Sequence, residues 1–317
     1  MYAGIDLGGT NIACAIGDAE GHIVAERSVP TLSHEGPPAV LDRIARLIRE
    51  MAPRVEAAGM GLPGRVYREA GVSQFLPNMP TQWRDVPVAD VLRAQLEAPV
   101  YLLNDARLAT LGELTFGGRE AWLARHGTVV FFTLGTGVGG GIVVEGKLRL
   151  GPWGAAGEVG HQTIIPDGLL CGCGNRGCLE TVASAPALSG EGVRLMRSGL
   201  APQLHCLVEG DASRVSPKEM AAAALAGDAA VMEAIERVAG YLGIAIANIV
   251  SLLHPDLVVL GGGMAQMGEV LLHPIRQHVV RRVGMFPADG VRIEQSALGD
   301  RAGVMGGLAL AARGGQV

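Results

Sequence analysis

The residues richest in chemistry cluster between positions 157 and 180. His161, Cys171, Cys173 and Cys178 supply one imidazole and three sulfurs, the Cys3His set that holds zinc tetrahedrally. Free thiols are the other reading of the cysteines, but crowding of this kind favours a metal. Of five cysteines, Cys14 and Cys206 stand isolated, which makes a poor disulfide framework. Four ligands leave no open position, so the ion would be structural. It would order the Gly/Pro/Cys-rich stretch 151–178 and pin Glu158, His161 and Glu180 with it. His161 could bind the ion through one ring nitrogen and offer the other to a substrate hydroxyl.

Two glycine turns carry a different chemistry. Asp6, Leu7, Gly8, Gly9, Thr10 and Asn11 lie between two short apolar runs. Such a turn exposes backbone N–H groups that can cradle phosphate oxygens, and Asp6 could hold Mg²⁺ through water. The chain returns as a strand, so this is neither a P-loop nor a dinucleotide fingerprint. An ordinary hairpin turn is the plainer alternative. The run 132–141 contains Gly135, Thr136 and Gly137 and repeats the pattern, and a pair of such turns points to a polyphosphate. Gly261, Gly262 and Gly263 follow a buried strand. They form a strand-to-helix turn or a place where a nucleotide base or ribose meets the backbone.

Asn104 and Asp105 close one strand and open a helix. Asp105 there is either a helix N-cap or a general base taking a proton from an alcohol. A helix N-terminus favours the ionised carboxylate in both roles.

The elements that position these residues are an α/β mixture. Strands are expected at 2–7 and 12–16, 100–104, 129–134 and 141–145, and 257–260, with helices at 37–51, 106–116, from 228 towards 253, and 303–312. At 317 residues the chain suggests two domains, with 49% hydrophobic and 18% charged residues excluding wholesale disorder. Net charge is −5 with no basic block, which argues against nucleic acid as a partner. Two uncharged windows have the length of a membrane span. The window around 128–144 holds five glycines and reads as strand, turn, strand, whereas 238–255 reads as a buried core helix. No membrane partner and a cytoplasmic location are therefore expected, there being no signal peptide pattern.

In order along nearly the whole chain, these motifs resemble the ROK family of sugar kinases and sugar-responsive repressors. Residues 6–10 resemble its first phosphate motif, 134–141 its second, and 157–161 with 171–180 its Glu-x-Gly-His and zinc signature. The resemblance implies a two-lobed, actin-like and hexokinase-like (ribonuclease H-like) α/β ATPase fold with a cleft. Residues 1–118, completed by 303–317, would form the small lobe and 119–302 the large one. It implies Mg-ATP as donor and a hexose as acceptor, most naturally glucose, with N-acetylglucosamine, N-acetylmannosamine, mannose and fructose as alternatives, or a sugar sensor without turnover. By motif Asp105 becomes the catalytic base. Gly64, Arg65, Asn78, Asn104, Asp105, Glu158, His161 and Glu180 become sugar ligands. Asp6, Gly8, Gly9, Thr10, Asn11, Gly135, Thr136, Gly137, Gly261, Gly262 and Gly263 become the nucleotide site. His161, Cys171, Cys173 and Cys178 become the zinc ligands. The repressor branch carries an N-terminal helix-turn-helix, for which a first motif at Asp6 leaves no room. A homodimer or homotetramer is the family expectation. The nucleotide, seated on the glycine turns, should be insensitive to loss of the zinc.

Overall fold

A computed structural model describes residues 1–76, 79, 81, 83–118 and 127–317. Contacts divide the chain into two units, Met1–His126 with Gly141–Gly157 and Asp300–Val317, and Gly127–Gly140 with Glu158–Gly299. The segment 141–157, expected with the second lobe, groups with the first unit.

The first unit is built on a sheet of β1 (Tyr2–Leu7), β2 (Asn11–Gly17), β3 (Ile23–Pro30), β4 (Ala57–Leu62) and β8 (Val100–Asn104), in the order β3-β2-β1-β4-β8. β1 to β3 pair antiparallel, and β4 and β8 join in parallel. Every residue of β4 is buried, as expected of a parallel strand covered on both faces. Helix α1 (Pro37–Met51) lays Val40, Leu41, Ile44, Leu47 and Ile48 into the core at helical spacing. α2 (Val88–Leu96) follows a small antiparallel sheet of β5 (Arg65–Tyr67), β6 (Val72–Phe75) and β7 (Arg84–Val86). α3 (Asp105–Phe116) runs straight out of β8.

The terminal helix Ala302–Ala312 packs on α3, β1 and β4. Its small residues are there because the backbones touch. A Cβ on Gly306 would lie 1.8 Å from the Leu108 carbonyl oxygen, and one on Gly59 would lie 2.2 Å from that of Gly307. Low aromatic content, 4% of the chain, thus accompanies a core built partly by glycine contact and not by large rings.

The second sheet has the order β11-β10-β9-β12-β13, from β9 (Val129–Leu134), β10 (Val138–Val144), β11 (Lys147–Arg149), β12 (Leu257–Gly261) and β13 (Arg292–Gln295). β12 lies parallel to β9 and β13. β10 starts three residues earlier than the expected 141, so Gly139 to Gly141 belong to the strand and the turn shrinks to residues 135–137. Gly141 is needed for a close approach, since a Cβ would meet the Thr110 hydroxyl oxygen at 2.2 Å. The window 128–144 is thus strand, turn, strand. The other apolar window lies, but for its last two residues, in the helix Ala229–Leu253, which is long and apolar enough to cross a membrane, yet buries one face from Val231 to Val250 in the core of its unit.

Candidate functional site

In the first unit, β1 delivers Asp6 to the glycine turn and β8 delivers Asn104 and Asp105 two strands away, with β4 between them. The turn is tight, with Gly8 N donating to the Asn11 carbonyl at 2.9 Å. Gly9, Thr10 and Asn11 are exposed, leaving their backbone open to a ligand. Thr31, just past the end of β3, clamps this turn, a role that no local pattern marks. Its hydroxyl donates to the Gly8 carbonyl at 2.7 Å, its N–H donates to the Thr10 carbonyl at 2.7 Å, and it is fully buried. The Arg43 guanidinium in turn donates to the Thr31 carbonyl at 2.7 Å.

Asp6 lies between the buried Ile5 and Leu7, with its carboxylate turned to Gly303 of the terminal helix. Burial, reinforced by the nearby negative charge of Asp105, pushes the Asp6 carboxyl up to about 7. Two acidic groups sharing one desolvated region make a site where a cation would be welcome. These residues therefore fit a magnesium ion accompanying a polyphosphate.

The cap position beside Asp105 is taken by its neighbour. Asn104 is the N-cap of α3, with its side-chain oxygen accepting from Ala106 N at 3.1 Å and Arg107 N at 3.3 Å. Asp105 is the first helical residue, and its Oδ1 accepts from Ala106 N at 2.8 Å. The cap reading is thereby transferred from Asp105 to Asn104. Gly64 closes β4 with φ +82°, and its carbonyl accepts from the Asn104 amide at 3.1 Å. Arg65 is exposed at the start of β5. Asn78 lies outside the described residues.

In the second unit, the ligand atoms of His161, Cys171, Cys173 and Cys178 all lie within 4.8 Å of one another. Cys173 and Cys178 sulfurs are 3.7 Å apart, and Cys171 Sγ is 3.6 Å from His161 Nδ1. A tetrahedral zinc at ordinary bond lengths requires about 3.8 Å between sulfurs and about 3.6 Å between sulfur and nitrogen. The donors are thus spaced for the ion. Nδ1 is the nitrogen that faces the sulfurs and would bind an ion there, and Nε2 faces the Glu158 carboxylate at 3.8 Å. Gly177 allows the loop to fold back, because a Cβ there would sit 1.6 Å from the Ile165 carbonyl oxygen.

Glu180 opens the short helix Glu180–Ala183 and turns towards the second glycine turn. Its Oε2 accepts from Val138 N at 2.9 Å, and a Cβ on Gly137 would lie 2.3 Å from that same oxygen. Its Oε1 is 4.0 Å from Cys171 Sγ. Gly160 presses on the Val138 carbonyl from the other side. The cysteine loop and the glycine turn are therefore joined through Glu180 and Gly160. Gly135 and Gly263 have open space where a side chain would be, and Thr136 is exposed. Gly262, at φ +82°, is explained by the Leu134 backbone packed against it.

The order of these motifs along the chain has a counterpart among known proteins: the model of the ROK family matches residues 2–314. The chain belongs to the ROK family. A glucokinase of Halalkalibacterium halodurans is 37% identical, the alignment covering 96% of this chain and 93% of that protein. A xylose repressor of Caldicellulosiruptor bescii is 32% identical, covering 97% of this chain and 77% of the repressor. The crystal structure of a ROK glucokinase from Streptomyces griseus, in complex with glucose and AMPPNP, superposes with a TM-score of 0.88 at 34% identity, covering 98% of this chain and 99% of that one. The ROK chain described here accordingly has the actin-like ATPase fold, an α/β class in which each unit carries one strand-glycine turn-strand motif.

Arg107 is the other residue whose importance the sequence hid. It is 1% exposed inside α3. An arginine two residues after the candidate base and three after Asn104, set among Ala106, Leu108 and Leu111, is the signal that would have found it.

Proposed function

We propose that this ROK protein is an ATP-dependent hexose kinase acting on glucose, forming glucose 6-phosphate. The observation that carries this reading is the division of labour at the start of α3, where Asn104 caps the helix and Asp105 is left as the carboxylate at its positive end. Phosphoryl transfer asks for positioning and charge stabilisation more than for covalent help. Asp105 accepts the proton of the attacking hydroxyl as its oxygen bonds to the γ-phosphorus and the bridging bond to ADP breaks. The exposed backbone of the turn at Gly8 to Asn11 and of the turn at Gly135 to Gly137 receives phosphate oxygens. Asp6 is placed to hold Mg²⁺, which supplies counter-charge to the polyphosphate when bound. Asn104, Glu158, His161 and Glu180 are the proposed hydroxyl-binding set, and Glu180 also holds Val138. His161, Cys171, Cys173 and Cys178 hold a structural zinc that orders their loop.

Relatives that are glucokinases, at 36% to 37% identity over nearly full length, support glucose. The repressor relatives favour a second reading, a sugar sensor without turnover. A panel of glucose, mannose, fructose, N-acetylglucosamine, N-acetylmannosamine and xylose with Mg-ATP separates them. Glucose should give the highest kcat/KM. A higher value for an N-acetylated hexosamine would replace the substrate and keep the kinase. Sugar binding without ADP release from any of them would establish the sensor.

A further inference from the structure

The Asn104 side chain can be assigned an orientation from its partners alone. Its oxygen faces three N–H donors, Arg107 Nη1 at 2.9 Å, Ala106 N at 3.1 Å and Arg107 N at 3.3 Å. An amide oxygen has two lone pairs, so this acceptor is fully used. The amide nitrogen donates one hydrogen to the Gly64 carbonyl at 3.1 Å. Turning the amide over would set its NH2 against three donors, strip α3 of its cap and place two oxygens, its own and that of Gly64, face to face. What Asn104 has left for a ligand is one N–H.

Arg107 enforces this arrangement. Its guanidinium is buried, and besides Asn104 its Nε donates to the Ala156 carbonyl at 3.0 Å. A planar guanidinium held at two edges cannot follow a rotating amide. The same side chain fastens residue 156, two positions before Glu158 in the sequence.

We propose that Arg107 is a positioning residue which fixes the polarity of Asn104, so that Asn104 meets a sugar hydroxyl as a hydrogen-bond donor and not as an acceptor. The inference rests on the kinase reading above, in which Asn104 is a sugar ligand. A hydroxyl that accepts from Asn104 keeps its own proton to donate, which suits the carboxylate groups of the proposed set.

The test is a double-mutant cycle on glucose affinity and kinetics, with Arg107→Met, Asn104→Ala and the pair. Arg107→Met should raise the glucose KM and the calorimetric glucose Kd by ~10-fold, the loss of about one well-placed hydrogen bond, while the ATP KM stays within about 2-fold. In the Asn104→Ala background the same change should have little further effect, because the residue acts through Asn104. Arg107→Lys, which keeps the buried charge, covers the case in which Arg107→Met fails to fold, and should restore part of the affinity. Asn104→Asp retains the cap and the acceptor for Arg107 but exchanges the free N–H for an oxygen, and should lose glucose binding by ~10-fold or more. Full additivity in the cycle would overturn the positioning role, and unimpaired glucose binding by Asn104→Asp would overturn the donor assignment. Absence of hexose binding by the wild-type chain would instead remove the kinase reading and this inference with it.

Discussion

Asp6→Asn isolates the energetic cost of building a cation site into the core. The Asp6 carboxyl is pushed from its ordinary 3.8 to about 7 by burial and then by Asp105. The folded protein therefore holds a proton between about pH 4 and pH 7 that the unfolded chain has released. Stability from this group is fully present below pH 4 and is lost as pH rises through 7. A displacement of that size corresponds to ~4 kcal/mol between the folded and unfolded states. Asp6 retains some contact with solvent, which reduces the expected figure to ~2 kcal/mol. Asparagine carries no charge to desolvate, although its amide N–H brings a pH-independent cost of ~1 kcal/mol. The stability difference between variant and wild type should consequently move by ~2 kcal/mol in favour of the variant between pH 4 and pH 8. Urea unfolding of both proteins without nucleotide or magnesium, at four pH values across this range, measures it. Turnover with Mg-ATP should fall sharply in the same variant, because the proposed cation site has lost its charge. A stability difference that stays flat from pH 4 to pH 8 would refute the claim that Asp6 is ionised at a cost.

Three further outcomes are expected. Asp105→Asn should lower kcat by ~10²–10⁴-fold with a modest change in glucose affinity, read in a coupled ADP-release assay. Cys173→Ser should lose about one zinc per chain by elemental analysis and raise the glucose KM. Through the Glu180 bond to Val138 it should raise the ATP KM as well, and an unchanged ATP KM would show that the bond transmits nothing. Gly306→Ala should destabilise the fold by ~3 kcal/mol or prevent folding, because its Cβ would collide with the Leu108 backbone, which cannot move without distorting α3. Thermal unfolding with circular dichroism checks this.

Local pattern made much of this molecule legible. The 3.6-residue spacing of Val40, Leu41, Ile44, Leu47 and Ile48 marked α1 with its bounds, and residue type alone marked out His161, Cys171, Cys173 and Cys178 as the four donors that the fold brings together. What stayed hidden depends on partners far apart in sequence. Glycines 139 and 140 read as a turn because glycine favours turns, yet they are strand residues, and at Gly141, next in the strand, a side chain is excluded by Thr110, thirty-one positions upstream. Ser216 stands at the N-cap of the helix Pro217–Leu225, three residues before a glutamate, but its hydroxyl donates to the Glu219 carboxylate and no side-chain cap bond forms. Capping is a competition among nearby acceptors, and sequence spacing names the competitors without naming the winner.

The two glycine turns make the same point at the level of function. Their sequences are alike, so the same phosphate chemistry was assigned to both. They are held by opposite means. The first is clamped through its carbonyls, with the Thr31 hydroxyl and backbone N–H donating to Gly8 and Thr10. The second is clamped through an N–H, with the Glu180 carboxylate accepting from Val138 beside Gly137. A clamp that takes carbonyl oxygens leaves N–H groups for an anion, whereas a carboxylate at the second turn occupies one donor and adds a negative charge. The first turn is consequently the better anion cradle, and the second depends on how the charge of Glu180 is balanced. The cysteine cluster would not supply that balance, since three thiolates around one divalent ion carry a net negative charge, but an ion bound there would hold the loop that carries Glu180. Loss of zinc is therefore expected to reach the second glycine turn through the Glu180 bond to Val138 and not through contact with a nucleotide.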